Sequence, residues 1–149
     1  QPTCERNLTG PPATLSADIL KAAPDTITIA EQQFILKTHL WRDFMPTIPP
    51  TKHGLFALVQ IETTDSSAID VKLTSEGIYI INGEEVWHTV YAAELPLDHP
   101  DLAPFRMISI VRNGPTWEPY IYVDVVVSIV AQEQRHLLRA PYQYIDAVF

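Results

Sequence analysis

The chain contains a single cysteine, Cys4, among its 149 residues. One cysteine excludes a disulfide within the chain and any zinc site built from several of its thiolates. We therefore expect the hydrophobic core alone to hold the fold. A domain of this length is large enough for that, because it buries about 68–70% of its unfolded surface.

Basic residues are also scarce, with 10 Lys and Arg against 18 Asp and Glu, so the formal net charge is −8. Binding to a phosphate backbone depends on clustered Lys and Arg. We therefore do not expect a nucleic-acid partner. Long apolar runs are lacking as well: Asp124 and Ser128 interrupt the most apolar stretch, well short of the roughly 18 residues of a membrane span.

The most informative pattern that is present runs from Tyr120 to Val130. One parity of this stretch is entirely β-branched and apolar, whereas Tyr, Asp and Ser recur on the other. Branched side chains suit a pleated surface, and period-2 alternation of this length is difficult to place on a helix. The pattern predicts a strand with one buried face.

Other segments also predict strands separated by turns. Asn82-Gly83 predicts a type I′ hairpin turn, and a returning strand is favoured after Glu133, where a helix over 131–139 is the alternative. The remaining strand predictions are Phe34–Phe44, Leu55–Glu62, Ile69–Leu73, 78–91 as a hairpin, and Phe105–Arg112. Seven or eight strands predict an all-β fold, an antiparallel β-sandwich. In architecture it is similar to immunoglobulin-like domains, without their usual cysteine pair.

The N-terminal region, residues 1–25, is rich in proline and is predicted to be a tether with a short helix capped by Ser16. Residues 26–149 are predicted to form one β-sandwich domain. Cys4 opens the polar stretch as in the mature end of a bacterial lipoprotein, which would anchor the chain to a membrane through a lipid on the thiol. A lipidated cysteine is ordinarily the first mature residue, however, and three residues precede Cys4; a plain unpaired cysteine is the alternative.

The location predicted from this region is extracytoplasmic: periplasmic, cell-surface or secreted. The sequence starts at Gln1 rather than Met, which we interpret as a processed or trimmed product.

One loop carries residues that ligate divalent metals: Asp98, His99 and Asp101, in Asp98-His99-Pro100-Asp101. Carboxylates suit calcium, and His with carboxylates suits zinc, although no ligand spacing such as HExxH or an EF-hand loop occurs. The alternative is a turn in which the Asp side chains bond the local backbone. A metal- or small-ligand-binding protein is therefore the second functional hypothesis.

Signatures of catalysis are lacking. There is no Gly-x-Ser-x-Gly elbow, and Cys4 lies in the predicted tether without a fixed base. Glu84 and Glu85 are adjacent on a predicted strand, so they point to opposite faces and cannot flank one bond. A hydrolase is the third hypothesis, and we do not expect an enzyme.

Aromatic residues around the last predicted hairpin suggest a recognition surface. Trp117, Tyr120 and Tyr122 cluster there, and aromatic side chains with a polar group are favoured at interfaces. The alternative for such residues is packing in the core. The first hypothesis is therefore an exported, non-enzymatic binding module for a protein or glycan partner, with these three residues as its binding site.

Overall fold

The computed structural model describes residues 15–47, 53–89, 93–94 and 104–149. It is an all-β structure, with 59% strand and 4% helix, in which a mixed sheet curls into a half-barrel. The elements are α1 (Ala17–Lys21), β1 (Ile27–Ile29), β2 (Gln32–Asp43), β3 (Leu55–Thr63), β4 (Thr74–Asn82), β5 (Glu85–Thr89), β6 (Ala93–Glu94), β7 (Arg106–Val111), β8 (Tyr122–Ala131) and β9 (Gln134–Val148).

The strand order is β5-β4-β8-β9-β2-β3-β7-β6, and β1 pairs with β2. The long strand β9 joins the two halves of the sheet. Its first part pairs antiparallel with β8, from Gln134 to Tyr144, and its last four paired residues, Ile145 to Val148, run parallel to β2. The prediction of a purely antiparallel sheet is wrong at this one pairing, because the parallel contact joins residues about 100 positions apart, which alternation within a segment does not encode.

The main core lies between the two halves of the curled sheet. Val123, Val125, Val127 and Ile129 of β8 all project into it, as the alternation in the sequence predicts. Each fully buried aliphatic side chain of this kind contributes about 1.5–3 kcal/mol relative to an exposed one. Facing residues from the other half include Phe34, Leu36 and Leu40 of β2 and Leu55, Ala57, Val59 and Ile61 of β3.

Helix α1 covers the outer face of β4, β8 and β9. Ser16 caps it: its Oγ accepts a hydrogen bond from the backbone N–H of Ile19 at 3.3 Å. Leu20 is fully buried against this face. Arg139 of β9 fixes the segment after the helix, because its Nε and backbone N–H donate to the carbonyls of Ala23 and Pro24, each at 2.8 Å. The second core cluster contains Leu15, Leu20, Ala23, Tyr79, Ile81, Val126 and Leu137.

Two local predictions differ from the structure. The hairpin between β4 and β5 turns at Gly83 and Glu84 rather than at Asn82 and Gly83, because Asn82 pairs with Glu85. Ile69–Leu73 is not a strand: Ile69, Val71 and Leu73 lie in a loop and pack partly buried against the main core. Apolar residues at alternate positions therefore contribute to the core there without joining the sheet.

The loop over 112–119 fastens β3 to the edge strand β5. The backbone N–H of Gly114 donates to the carbonyl of Leu55 at 3.0 Å, and the N–H of Leu55 donates to the carbonyl of Pro115 at 3.1 Å. Further along the loop, Trp117 Nε1 donates to a carboxylate oxygen of Glu85 at 3.2 Å. The loop thus connects the two halves of the half-barrel at this end.

Candidate functional site

Exposed tyrosines form the most conspicuous surface feature of the described residues. Of the five tyrosines described, Tyr79 is buried, whereas Tyr120, Tyr122, Tyr142 and Tyr144 are 58%, 62%, 79% and 41% exposed. We call these four exposed residues the tyrosine patch. The Tyr144 ring contacts two of the others, with centroid distances of 6.3 Å to Tyr120 and 5.1 Å to Tyr122.

The pairing of β8 with β9 brings the patch together. Tyr122 and Tyr144 are directly opposite each other in the antiparallel register, and side chains at such positions lie close enough to interact. The backbone N–H of Tyr120 donates to the carbonyl of Ile145 at 2.7 Å, which holds the residue beside β9. Two residues predicted as binding residues, Tyr120 and Tyr122, are therefore brought to one surface.

Two members of the patch have unusual backbone angles. Tyr120 has φ of 69° and Tyr142 has φ of 54°. Bulky residues rarely adopt positive φ, and such a conformation costs about 1–3 kcal/mol. Tyr142 lies in the bulge that follows Pro141, where its backbone N–H donates to Asp124 Oδ1 at 3.3 Å. Since both rings are exposed, burial of the rings does not offset this cost.

Carboxylates lie around the patch. Asp124 Oδ2 accepts from Arg139 Nη1 at 3.2 Å, and this pair is mostly buried. Asp146, two residues after Tyr144, is about half exposed and lies 3.8 Å from the His39 imidazole, Oδ2 to Nδ1. Glu118, two residues before Tyr120, is exposed. Each of these three carboxylates therefore lies two residues along the chain from a tyrosine of the patch.

A column of stacked rings continues across the outer face of β2 and β3. Trp41 stacks on Phe56 with centroids 5.3 Å apart and an interplanar angle of 8°, and on His39 with centroids 5.2 Å apart. Trp41 is the register partner of Asp146, so the column lies beside β9, the strand that carries Tyr142 and Tyr144. The outer face of the sheet thus carries aromatic side chains on four neighbouring strands, β8, β9, β2 and β3.

Trp117, the third predicted binding residue, occupies a different setting. It is partly buried and packs against the main core. Its indole N–H donates to Glu85, and its backbone carbonyl accepts from Arg42 Nη1. These contacts link the loop over 112–119 to β2 through Arg42 and to β5 through Glu85.

A partly buried polar cluster lies on the outer face of β4, β8 and β9. Glu76 Oε1 accepts from Ser128 Oγ at 2.6 Å and from Arg135 Nε at 2.7 Å, and Glu76 Oε2 accepts from Arg135 Nη2 at 3.2 Å. The Arg135 hydrogen bond lowers the pKa of Glu76, and the Ser128 hydrogen bond adds to this against the opposing effect of burial. Ser128 is fully buried, so the cluster fixes the strands and offers no exposed nucleophile.

Two aromatic groups border this cluster. Burial raises the pKa of Tyr79 to about 12 and lowers the pKa of His88, whose ring lies 4.6 Å from that of Tyr79. His88 Nε2 is buried and makes no hydrogen bond within the described residues. A neutral imidazole and a neutral phenol in contact behave here as core groups.

The residues of the predicted metal loop, Asp98, His99 and Asp101, lie outside the described residues, as does Cys4. Within the part of the chain that the structure describes, no group of three or more His, Cys, Asp or Glu side chains is placed to hold a metal ion. The helix in the described ranges, α1, has five residues, which is too few to span a bilayer.

Sequence reasoning did not identify Tyr142 and Tyr144 as part of the candidate site. The segment containing them reads as extended in the sequence, which is correct, but the partner strand decides that the Tyr144 ring meets Tyr120 and Tyr122. The signal available was the alternation of Tyr142, Gln143 and Tyr144 in the final strand, the same tyrosine spacing as at 120 and 122.

Comparisons of the chain with protein-family models, with curated proteins and with solved structures find no match.

Proposed function

We propose that the protein is a non-enzymatic binding module that holds a protein or glycan partner on the tyrosine patch. The observation that carries this proposal is the exposure of four tyrosines, three of them in ring contact, on the paired strands β8 and β9 and the segment just before β8. Tyrosine suits recognition because it offers a large apolar ring, a hydroxyl group and few rotatable bonds to immobilise.

The backbone strain supports the same proposal. Positive φ at Tyr120 and Tyr142 costs folding free energy, and neither ring recovers it through burial. Strained backbone conformations cluster at functional sites, where the position of a side chain matters more for function than the folding free energy that the strain costs. A partner that packs on these rings would supply the missing contact.

The test compares one double variant and one single variant with the unchanged chain. The variant Tyr122→Ser with Tyr144→Ser removes two contacting rings, and Phe149→Ser is the control because Phe149 is as exposed as Tyr142, at 79%. The protein is applied to a glycan array and, when immobilised, is exposed to an extract of its source organism. Captured ligands are identified and titrated. We expect the double variant to weaken binding at least tenfold, which is typical of interface residues that dominate binding.

The proposal fails if the double variant binds captured ligands as tightly as the unchanged chain does, or if Phe149→Ser weakens them equally. Circular dichroism of both variants establishes that each is folded before titration. Loss of exposed rings leaves the cores intact, so the spectra are expected to match that of the unchanged protein.

Several finer predictions stay predictions, and the proposed function does not depend on them. They are the immunoglobulin-like sandwich as the particular β architecture, the extracytoplasmic location, a lipid on Cys4, and a divalent metal at Asp98, His99 and Asp101. Mass spectrometry of protein from its own source tests the lipid and the metal together, because each adds a defined mass.

A further inference from the structure

We infer that the partner presents a cationic polypeptide segment, with Arg or Lys side chains, to the tyrosine patch. This inference rests on the proposed function. Three features of the molecule support it: the charge around the patch, the geometry of its rings, and contacts that the chain itself makes between arginine and aromatic side chains.

The charge around the patch is complementary to a cation. Glu118, Asp124 and Asp146 each lie two residues along the chain from a tyrosine of the patch, and within the described residues only Asp124 of the three is paired with a guanidinium, that of Arg139. The whole chain has the same sign, with a net charge of −8. An acidic surface attracts cationic partners and repels anionic ones.

The local carboxylates differ in how far they are already neutralised. Arg139 donates to Asp124 through Nη1 and to the carbonyl of Ala23 through Nε, so two of its three guanidinium nitrogens bond within the fold. Asp146 pairs with His39, which carries a charge only when protonated. Asp146, which is about half exposed, and the exposed Glu118 are therefore the carboxylates that a partner can reach.

The ring geometry favours a flat cation lying over the patch. Centroid distances of 5.1 and 6.3 Å mean that the rings contact one another and leave no gap for a group to enter between them. A guanidinium group lying over ring faces needs only to be within about 6 Å of a centroid. An arginine side chain can therefore approach Tyr144 and one neighbour together while its charge is drawn towards Asp146.

Two such contacts occur elsewhere among the described residues. The Arg42 guanidinium carbon lies 5.0 Å from the centroid of the Phe44 ring, and that of Arg106 lies 4.6 Å from the centroid of Phe105. These pairs are within the distance at which arginine and an aromatic face attract each other. Tyrosine faces are at least as suitable as phenylalanine faces, and those of the patch are open to solvent.

The experiment measures binding of labelled peptides to the folded full chain by fluorescence anisotropy. The probe is a twelve-residue peptide of alternating Arg and Gly, and the matched control peptide has citrulline, a neutral analogue of similar shape, in place of each Arg. We expect the arginine peptide to bind at least tenfold more tightly than the citrulline peptide. Binding should weaken between 50 and 200 mM salt, because salt screens exposed charges.

Charge variants separate binding at the patch from attraction to an acidic protein in general. Glu118→Gln with Asp146→Asn removes two charges beside the patch. Asp70→Asn with Glu133→Gln removes two exposed charges elsewhere. Asp70 lies beside Gln32 at the start of β2. Glu133 lies in the turn between β8 and β9, at the end of β8 that is far from Tyr122. We expect the first pair to weaken the arginine peptide about three- to tenfold and the second pair to leave it nearly unchanged.

The outcomes distinguish this inference from the proposed function. Equal weakening by the two charge pairs, or equal affinity for the arginine and citrulline peptides, overturns the inference. Capture of a neutral glycan that depends on Tyr122 and Tyr144, without binding of the arginine peptide, overturns the inference and leaves the proposed function standing. If Tyr122→Ser with Tyr144→Ser alters no binding at all, the proposed function fails and the inference fails with it.

Discussion

The strain at Tyr120 gives a test at the level of a single residue. Replacement by Gly or by Ala removes the same ring, but only Gly adopts φ of 69° without a steric penalty. We expect Tyr120→Gly to be more stable than Tyr120→Ala by about 1 kcal/mol. Urea denaturation of the two variants, followed by circular dichroism, measures the difference between their free energies of unfolding.

Tyr122 supplies the control for this test because it lies in β8 with ordinary extended backbone. There the order should reverse, with Tyr122→Gly less stable than Tyr122→Ala by about 0.5–1 kcal/mol, since Gly loses more chain entropy on folding. If Ala is the more stable replacement at Tyr120 as well as at Tyr122, the backbone of Tyr120 is relaxed, and strain no longer supports a function for the patch.

At the scale of single residues, alternation in the sequence predicts which side chains are buried but does not predict unusual backbone angles. The alternation from Tyr120 to Val130 was sufficient to predict that Tyr122 is exposed and that Val123 is buried, and the structure agrees. The positive φ of Tyr120 could not be predicted, because tyrosine has no preference for that conformation and the hydrogen bond to Ile145 that accompanies it comes from a distant strand.

At the scale of the elements, Glu76 ties three strands together. It lies at the irregularity in β4 between Ser75 and Gly77, and its carboxylate bonds Ser128 of β8 and Arg135 of β9. We expect Glu76→Gln to destabilise the fold by about 1–3 kcal/mol. This is less than the 3–5 kcal/mol for breaking a fully buried ion pair, because both side chains are partly exposed.

The effect of Glu76→Gln should depend on pH. The folded pKa of Glu76 lies below its ordinary value of 4.5, mainly because of the Arg135 hydrogen bond. The stabilisation by the carboxylate is therefore fully present above about pH 4.5 and is lost as pH falls through the lower folded pKa. Denaturation at pH 7 and at a series of acidic values measures whether the gap between the variant and the unchanged protein narrows. A gap that is constant with pH, or a similar loss in the exposed control Glu133→Gln, would contradict this role.

Elements with strong local signals were predicted more accurately than those set by tertiary contacts. The strand over Leu55–Thr63 and the returning strand after Glu133 form as expected, because alternation and turn residues specify them locally. Ile69–Leu73 alternates equally well but stays outside the sheet, where its side chains pack on the core from a loop. Alternation reports which side chains are buried, and it leaves open whether the backbone finds a partner strand.

At the scale of the whole molecule, the length of β9 determines the architecture. Fifteen residues are enough for this strand to pair first with β8 and then with β2, so one curled sheet encloses the core. The sequence predicts an all-β fold and the inward face of β8, but it predicts seven or eight strands where nine are described. It does not reveal that one strand serves both halves, since nothing local in the final segment distinguishes its two partners.

The curl also requires the loop over 112–119 to approach β3 closely, and Gly54 makes that approach possible. A Cβ atom at Gly54 would lie 2.0 Å from the carbonyl oxygen of Gly114, and that loop is held by its hydrogen bonds to Leu55. Because backbone rather than a flexible side chain stands in the way, we expect Gly54→Ala to cost more than about 3 kcal/mol, the upper end of ordinary overpacking.

Gly83→Ala is the control: its Cβ meets open space and only the φ of 63° is unfavourable, so about 1 kcal/mol is expected. Chemical denaturation ranks the two variants. If Gly54→Ala proves as mild as Gly83→Ala, the loop can retreat from β3 at little cost, and its close approach to β3 is not required for the fold.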